Sequence, residues 1–203
     1  MSGVYNVQSN LWKIDGIRHL LTPKLSYRYI PEADKGQQYI PQIDTAAFST
    51  YLQPIDLGDM RNIDQLQAEN VLRLEVDNTF QSRDPDYGSR DLLTFNVAND
   101  FRFSRQPNQG GMSDFQTELA FTPIRWLRLD VYQRFDAYAA TLREFNTGLS
   151  LIDTDWWTLR LGTHYLQHQF EEYVLDYSLR LNEVYRAFVR IDGRKVYLGP
   201  FNS

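Results

Sequence analysis

The chain has 203 residues, a formal net charge of −5 and no cysteine. Disulfides and thiolate metal sites are therefore excluded, and the acidic balance lacks the basic footprint of a nucleic-acid partner. Hydrophobic residues make up 42% of the chain, yet no run of about 18 apolar residues occurs, which excludes a spanning helix. A mean hydropathy of −0.49 suggests a water-soluble protein. One class escapes that inference, because β-barrels that cross membranes alternate apolar with polar residues and keep a low average.

The opening stretch, "MSGVYNVQSNLWKIDG", has neither a basic start nor an apolar centre, so it is not a signal peptide. Residues 1–17 read as a lead-in to a β-rich segment, 18–203, which holds a long loop at 31–69. Leu25, Tyr27 and Tyr29 then alternate with Lys24, Ser26 and Arg28. After the loop, Leu72, Leu74, Val76 and Phe80 oppose Arg73, Glu75, Asp77, Thr79 and Gln81. "RDLLTFNVANDFRFSR" sets Leu93, Phe95, Val97, Phe101 and Phe103 on every second position, with Asn99 as the polar break. The pattern returns with Phe115, Leu119 and Phe121, and again with Leu127, Leu129, Val131 and Phe135. Phe145, Leu149 and Leu151 follow, then Trp157, Leu159, Leu161 and Tyr165. Tyr173, Leu175, Tyr177, Leu179 and Leu181 come next, then Tyr185, Ala187, Val189 and Ile191, and a short "KVYLG" closes the series. A period of two marks extended strands with one oily and one wet face, and none of these segments has a helical period. About ten strands are expected.

The links between them are read as sorted by length, with "QPNQGGMS", "AYAATLRE" and "QHQF" long and "TPIR", "DTD" and "NE" tight; "RDPDYGSR" breaks the rule. An up-and-down sheet whose ends face different compartments has that character. Periodicity does not say which face points outward, since a soluble sandwich would turn its apolar face inward. Two features favour the reverse. Aromatic residues stand near strand ends with aliphatics between them, as in Trp157 and Tyr165 around Leu159 and Leu161, which is the girdle of a membrane barrel. The polar face also carries long charges of both signs in nearly every strand, as a wet bore does. The fold expected is all-β: an antiparallel transmembrane up-and-down β-barrel, its ten or so strands forming part of a larger barrel.

Catalytic constellations are scarce. His19, His164 and His168 are scattered, and the last two fall on a strand and its loop, so no metal site is expected. Asp84 to Gly88 resembles a fragment of a calcium loop but reads better as a turn. Asp153 and Asp155 sit in a hairpin rather than as a glycosidase pair. No phosphate-cradling glycine loop, nucleophile elbow or zinc-protease motif occurs. No enzymatic activity and no cofactor are expected.

Residues 18–80 carry a more specific signal. Arg18, His19 and Pro23 form an R-H-x-x-x-P element, Tyr27, Tyr29 and Pro31 a Y-x-Y-x-P element, and Pro41 and Asp44 a P-x-x-D element. Arg61, Asp64 and Asn70 follow in a polar linker. The set resembles the barrel domain of LptD, the lipopolysaccharide-assembly family of the Gram-negative outer membrane. It departs from that family in the linker, where the usual N-R-x-x-G-x-D-R string is missing. The resemblance implies insertion of lipopolysaccharide into the outer leaflet through a barrel lumen and a lateral seam. It also implies a plug lipoprotein similar to LptE, periplasmic bridge proteins, and a chain lacking the family's N-terminal periplasmic domain and signal peptide. The lumen would be lined by Arg73, Glu75, Asp77, Arg102, Arg128, Asp130, Arg134, Arg160 and Arg180. Most of these arginines are expected to pair with carboxylates on neighbouring strands. The motif residues also have plainer readings: prolines that stiffen a loop, His19 satisfied in a turn, Asp44 and Asp64 as loop caps. A porin or channel needs only the same alternation, and a soluble β-sandwich binding module needs only the faces reversed.

Overall fold

The structure is a computed structural model that describes residues 1–31, 68–84, 88–103, 111–153 and 156–196. Ten strands follow one another: β1 (Ser2–Ser9), β2 (Ile14–Ile30), β3 (Glu69–Asp84), β4 (Gly88–Arg102), β5 (Phe115–Ile124), β6 (Leu127–Asp136), β7 (Thr141–Asp153), β8 (Trp157–Leu166), β9 (Phe170–Arg180) and β10 (Arg186–Val196). Each pairs antiparallel with the next in a single up-and-down sheet ordered β1 to β10. The sheet is open: β1 and β10 are its edges and do not pair with each other.

The expected count was reached by two compensating errors. β1 and the start of β2 lie in the stretch read as a lead-in, where "GVYNVQS" alternates too weakly to announce a strand. At the other end, the two last strands expected are one, because β10 runs through Gly193 into Lys195 and Val196. The links are also less sorted than expected. Residues 137–140 and 167–169 are as short as the turns at the opposite end, and only 31–68 and 103–114 are long. "RDPDYGSR" ceases to be an exception, since β3 and β4 extend into it and leave only residues 85–87 as the link. The span 31–69 falls almost wholly outside the described residues.

Hydrophobicity is inverted relative to a water-soluble sheet. No second layer covers either face among the described residues, so side chains are buried by neighbouring strands and by links that fold over them, most of them on one face; Ser82 and Asn99 are buried on the other. The residues on the more crowded face are a mixture: Arg73, Glu75, Asp100, Glu144, Asn146 and His164 beside Val71, Leu92, Ala98, Tyr132, Phe170 and Val174. On the opposite face Leu74 is 45% exposed, Leu161 41% and Leu25 67%. A Leu-rich face left open is costly in water and favourable in hydrocarbon.

The register adds a second sign. One ladder row runs Pro23–Val76–Val97–Thr117–Gln133–Phe145–Tyr165–Glu171–Lys195. It begins inside the apolar zone at Val76 and ends on two charges. The row His19–Phe80–Leu93–Phe121–Leu129–Leu149–Leu161–Leu175–Ile191 does the opposite, entering aliphatic territory as it proceeds. The apolar zone is thus oblique to the ladder, the arrangement that strands tilted against a level membrane require. β5, β6 and β8 have 10 residues each, the length that crosses hydrocarbon at a tilt of about 45°. All four tryptophans stand at one end of the sheet, Trp12, Trp126 and Trp156 in short turns and Trp157 at the start of β8. Amphipathic indoles collect where headgroups meet hydrocarbon.

Leu161→Arg, in the middle of the oblique zone, should destabilise the sheet by about 2–4 kcal/mol in denaturant unfolding from phospholipid vesicles. Leu11→Arg, at a site 80% exposed in the β1–β2 turn, should shift stability by less than about 0.5 kcal/mol.

Candidate functional site: the polar inner face

Cross-strand registers bring the nine residues read as lumen-lining onto one face, the crowded one. Arg73, Glu75 and Asp77 are on β3, Arg102 on β4, Arg128, Asp130 and Arg134 on β6, Arg160 on β8 and Arg180 on β9. Arg73 donates from Nε and Nη2 to both oxygens of Asp100 directly opposite, at 2.6 and 2.9 Å. Lys24 reaches from β2 to Glu75 at 3.2 Å and also to Asp77. Arg134 lies between Asp114 and Glu144, 3.5 and 3.7 Å away. Arg128 departs from the cross-strand expectation: its partner is Asp130, two residues along the same strand, at 2.9 Å. Arg102 donates to the carbonyl of Met112 at 3.4 Å, where the chain returning from the β4–β5 link folds back along β4. Arg160 lies across Gly148, close enough that a Cβ there would meet its guanidinium at 3.8 Å. Arg180 stands exposed at the end of β9.

The most enclosed part of this face was not singled out from the sequence. Glu144, Asn146 and His164 are each under 10% exposed, and Tyr132 lies directly opposite Asn146. The His164 Nε2 and Glu144 Oε1 are 3.2 Å apart, and Asn146 donates to the same oxygen at 3.3 Å. The His164 ring meets Phe170 edge-on at 5.2 Å, and Arg194 lies 4.8 Å above that same Phe170. A carboxylate this enclosed needs partners to stay charged, and Arg134, Asn146 and His164 supply them. The available clue was alternation: Asn146 and His164 hold polar positions two residues from glycines on adjacent strands. Donors and acceptors alternate over much of this face, interrupted by Val71, Leu92, Phe170 and Val174. Among the described residues no group of three His, Asp or Glu is placed to hold a metal ion.

The motif residues lie mostly on the other face of β2 and β3. His19 is in mid-strand rather than in a turn, its ring stacked on Phe80 at 4.2 Å and its Nε2 3.0 Å from Asn78 Oδ1. Tyr27 donates to Asn70 at 3.0 Å, joining two motif elements that are far apart in the chain; Tyr29 lies opposite Asn70. Arg18 points to the polar face, opposite Gln81. Pro23 is also within β2, not at its start. Leu21 exchanges backbone hydrogen bonds with Met1, so alternation directs the nitrogen of Pro23 to the β1 side, away from β3. The missing donor therefore leaves the β2–β3 ladder intact. Pro31 is exposed just past β2; Pro41, Asp44, Arg61 and Asp64 lie outside the described residues.

A family model described as "LPS transport system D" matches residues 5–189. No curated protein matches the chain.

The Arg73–Asp100 clasp gives a direct energetic test. Asp100→Ala should cost about 3–5 kcal/mol in micelle unfolding, because it strands a buried guanidinium. Arg73→Met combined with Asp100→Leu should recover most of that loss.

Proposed function

Because the chain belongs to the LptD family of outer-membrane β-barrel proteins that transport lipopolysaccharide, we propose that its polar face lines the passage for the sugar part of that lipid. The oily face meets the bilayer. The observation that carries this reading is the inversion itself: ion pairs crowded on one face, leucines open on the other. No bond is made or broken; the chain contributes a route. The ten strands are part of a larger closed barrel, and the lipid tail leaves sideways through a seam between strands of that barrel. The short turns with their tryptophans lie at the periplasmic side and the long links at the cell surface, as in outer-membrane barrels generally.

The motif residues act in assembly rather than in transport. Tyr27 with Asn70, near the end of β2, and His19 with Asn78, in mid-strand, tie β2 to β3; Pro41, Asp44 and Asp64 lie outside the described residues. Pro23 and Pro31 keep β2 from pairing out of register. The partners are those of the family: a plug lipoprotein similar to LptE on the inner side, and the periplasmic bridge that delivers lipid. The porin reading lacks a specific support, since the inner face carries both charge signs in closely paired sets rather than one dominant sign.

A photo-crosslinking residue placed at Thr94, half-exposed on the inner face, in the full-length protein should capture lipopolysaccharide in living cells. The same residue at Val76, on the outer face, should capture phospholipid or nothing. Equal capture at both positions, or none at any inner position, would contradict the assignment of faces to tasks.

A further inference from the structure

At the short-turn end of the sheet, one cation on the outer face holds two distant turns together. Arg90 lies opposite Ser82, on the face that carries Phe80 and Leu93. The β4–β5 ladder stops at Leu93 and Phe121. Beyond it, Arg90 donates to the carbonyls of Thr122 and Pro123 at 2.8 and 2.7 Å. A third bond of 2.7 Å reaches the carbonyl of Trp12, in the turn between β1 and β2. The Trp12 ring also meets Phe121 edge-on, with 5.8 Å between centroids. β3 and β4 separate β2 from β5 in the sheet, so the β1–β2 turn reaches these partners only by folding across the outer face. The bend is built into the backbone: Gly16 has a φ of 80° where the β2–β3 register shifts between Asp15 and Ile17, and Lys13 has a φ of 48°. A lysine in the left-handed region costs conformational energy that the contacts of the turn must offset.

The two turns that Arg90 fastens share a chemistry. Residues 10–13 read Asn-Leu-Trp-Lys and residues 122–126 read Thr-Pro-Ile-Arg-Trp, with no carboxylate in either. Leu11 and Trp126 are 80% and 55% exposed, and Lys13 and Arg125 are exposed beside them. Of the nearest acids, Asp15 lies opposite Arg83, and Asp91 accepts a bond of 2.9 Å from Gln81 on the polar face. The β7–β8 turn differs, since its Trp156 stands among Asp153 and Asp155. Indoles settle at headgroup depth, and cations near a bilayer surface attract anionic lipid. Arg90 brings one indole and one cation from each turn to the same place on the rim. We propose that the joined turns form a binding site for the headgroup of an anionic phospholipid. Lys13 and Arg125 meet its phosphate, Trp12 and Trp126 flank it, and Arg90 is a positioning residue that acts through the carbonyls of both turns. The site rests on the reading of the outer face as lipid-facing, and it adds a headgroup class at one point of that face.

The test uses the full-length protein in nanodiscs of phosphatidylethanolamine with a minor share of phosphatidylglycerol. A photo-crosslinking residue at Leu11 or at Trp156 captures neighbouring lipid, and mass spectrometry reads the ratio of the two lipids in the adducts. Retained heat-modifiable mobility on gels verifies that each variant is folded. At Leu11, phosphatidylglycerol should be enriched about fivefold over its share of the bilayer; at Trp156 the adducts should follow the bulk ratio. Lys13→Gln with Arg125→Gln, both at exposed positions, should return Leu11 to the bulk ratio. Arg90→Lys keeps the charge but cannot fork to three carbonyls, and it should do the same. Enrichment at Leu11 that survives either variant, or equal enrichment at Trp156, would overturn the site. So would its loss to inorganic phosphate at matched ionic strength, which would assign the turns to a free anion. Bulk-ratio adducts at Leu11 in the unaltered protein would remove only this site; no lipid adduct at Leu11 or at Val76 would remove the lipid-facing reading as well.

Discussion

A one-layer sheet with leucines on its open side can be stable only where something other than water meets those leucines. That constraint governs the whole molecule. In a soluble β-protein the apolar face finds its cover in a second sheet or a helix. None stands over Leu74, Phe95 or Leu161 among the described residues, and the crowded side holds Arg73, Glu75 and Glu144. Hydrocarbon is the solvent that makes this distribution favourable. It also makes complete backbone pairing obligatory, because an open ladder has no water to bond in the bilayer core. The outer edges of β1 and β10 are unpaired among the described residues, and a membrane reading asks that both find partners.

Once the outer face is assigned to lipid, the inner face follows from electrostatics. Charges crowded onto one face are tolerated when each has a partner in reach, and Arg73 with Asp100 or Lys24 with Glu75 and Asp77 meets that condition. Close pairing leaves a surface rich in donors and acceptors but low in net field. A polyhydroxylated, anionic chain can slide along such a wall without being held everywhere.

Much of this was legible in the sequence because a period of two is a local property, carried by each strand on its own. The alternation of Leu127, Leu129 and Val131 with Arg128 and Asp130 names both faces without any knowledge of neighbours. The weak alternation of Ser2–Ser9 concealed β1, which owes its strand conformation to pairing with β2. Turn lengths were misjudged because polar residues near a strand end, such as Arg143 and Glu144, resemble loop while continuing the ladder; a bulge between Arg134 and Phe135 absorbs the difference. The site was legible as a face but not as a constellation. That Arg73 would meet Asp100, or Arg180 face Arg186, depends on register, and register is fixed by turns and bulges such as the one at Gly16, whose φ of 80° suits glycine.

The claim under all of this is that the two faces of one sheet meet two different solvents. Spin labels placed singly at Leu74, Phe95, Leu129 and Leu161, and at Asn96, Tyr132, His164 and Asp176, would test it in the full-length protein reconstituted in bilayers. Collision rates with oxygen, which concentrates in hydrocarbon, and with a neutral nickel chelate, which stays in water, report each label's surroundings. The account predicts high oxygen and low nickel contact for the first set and the reverse for the second. Nickel contact at the leucine positions, with the His164 and Tyr132 labels shielded from it, would contradict it.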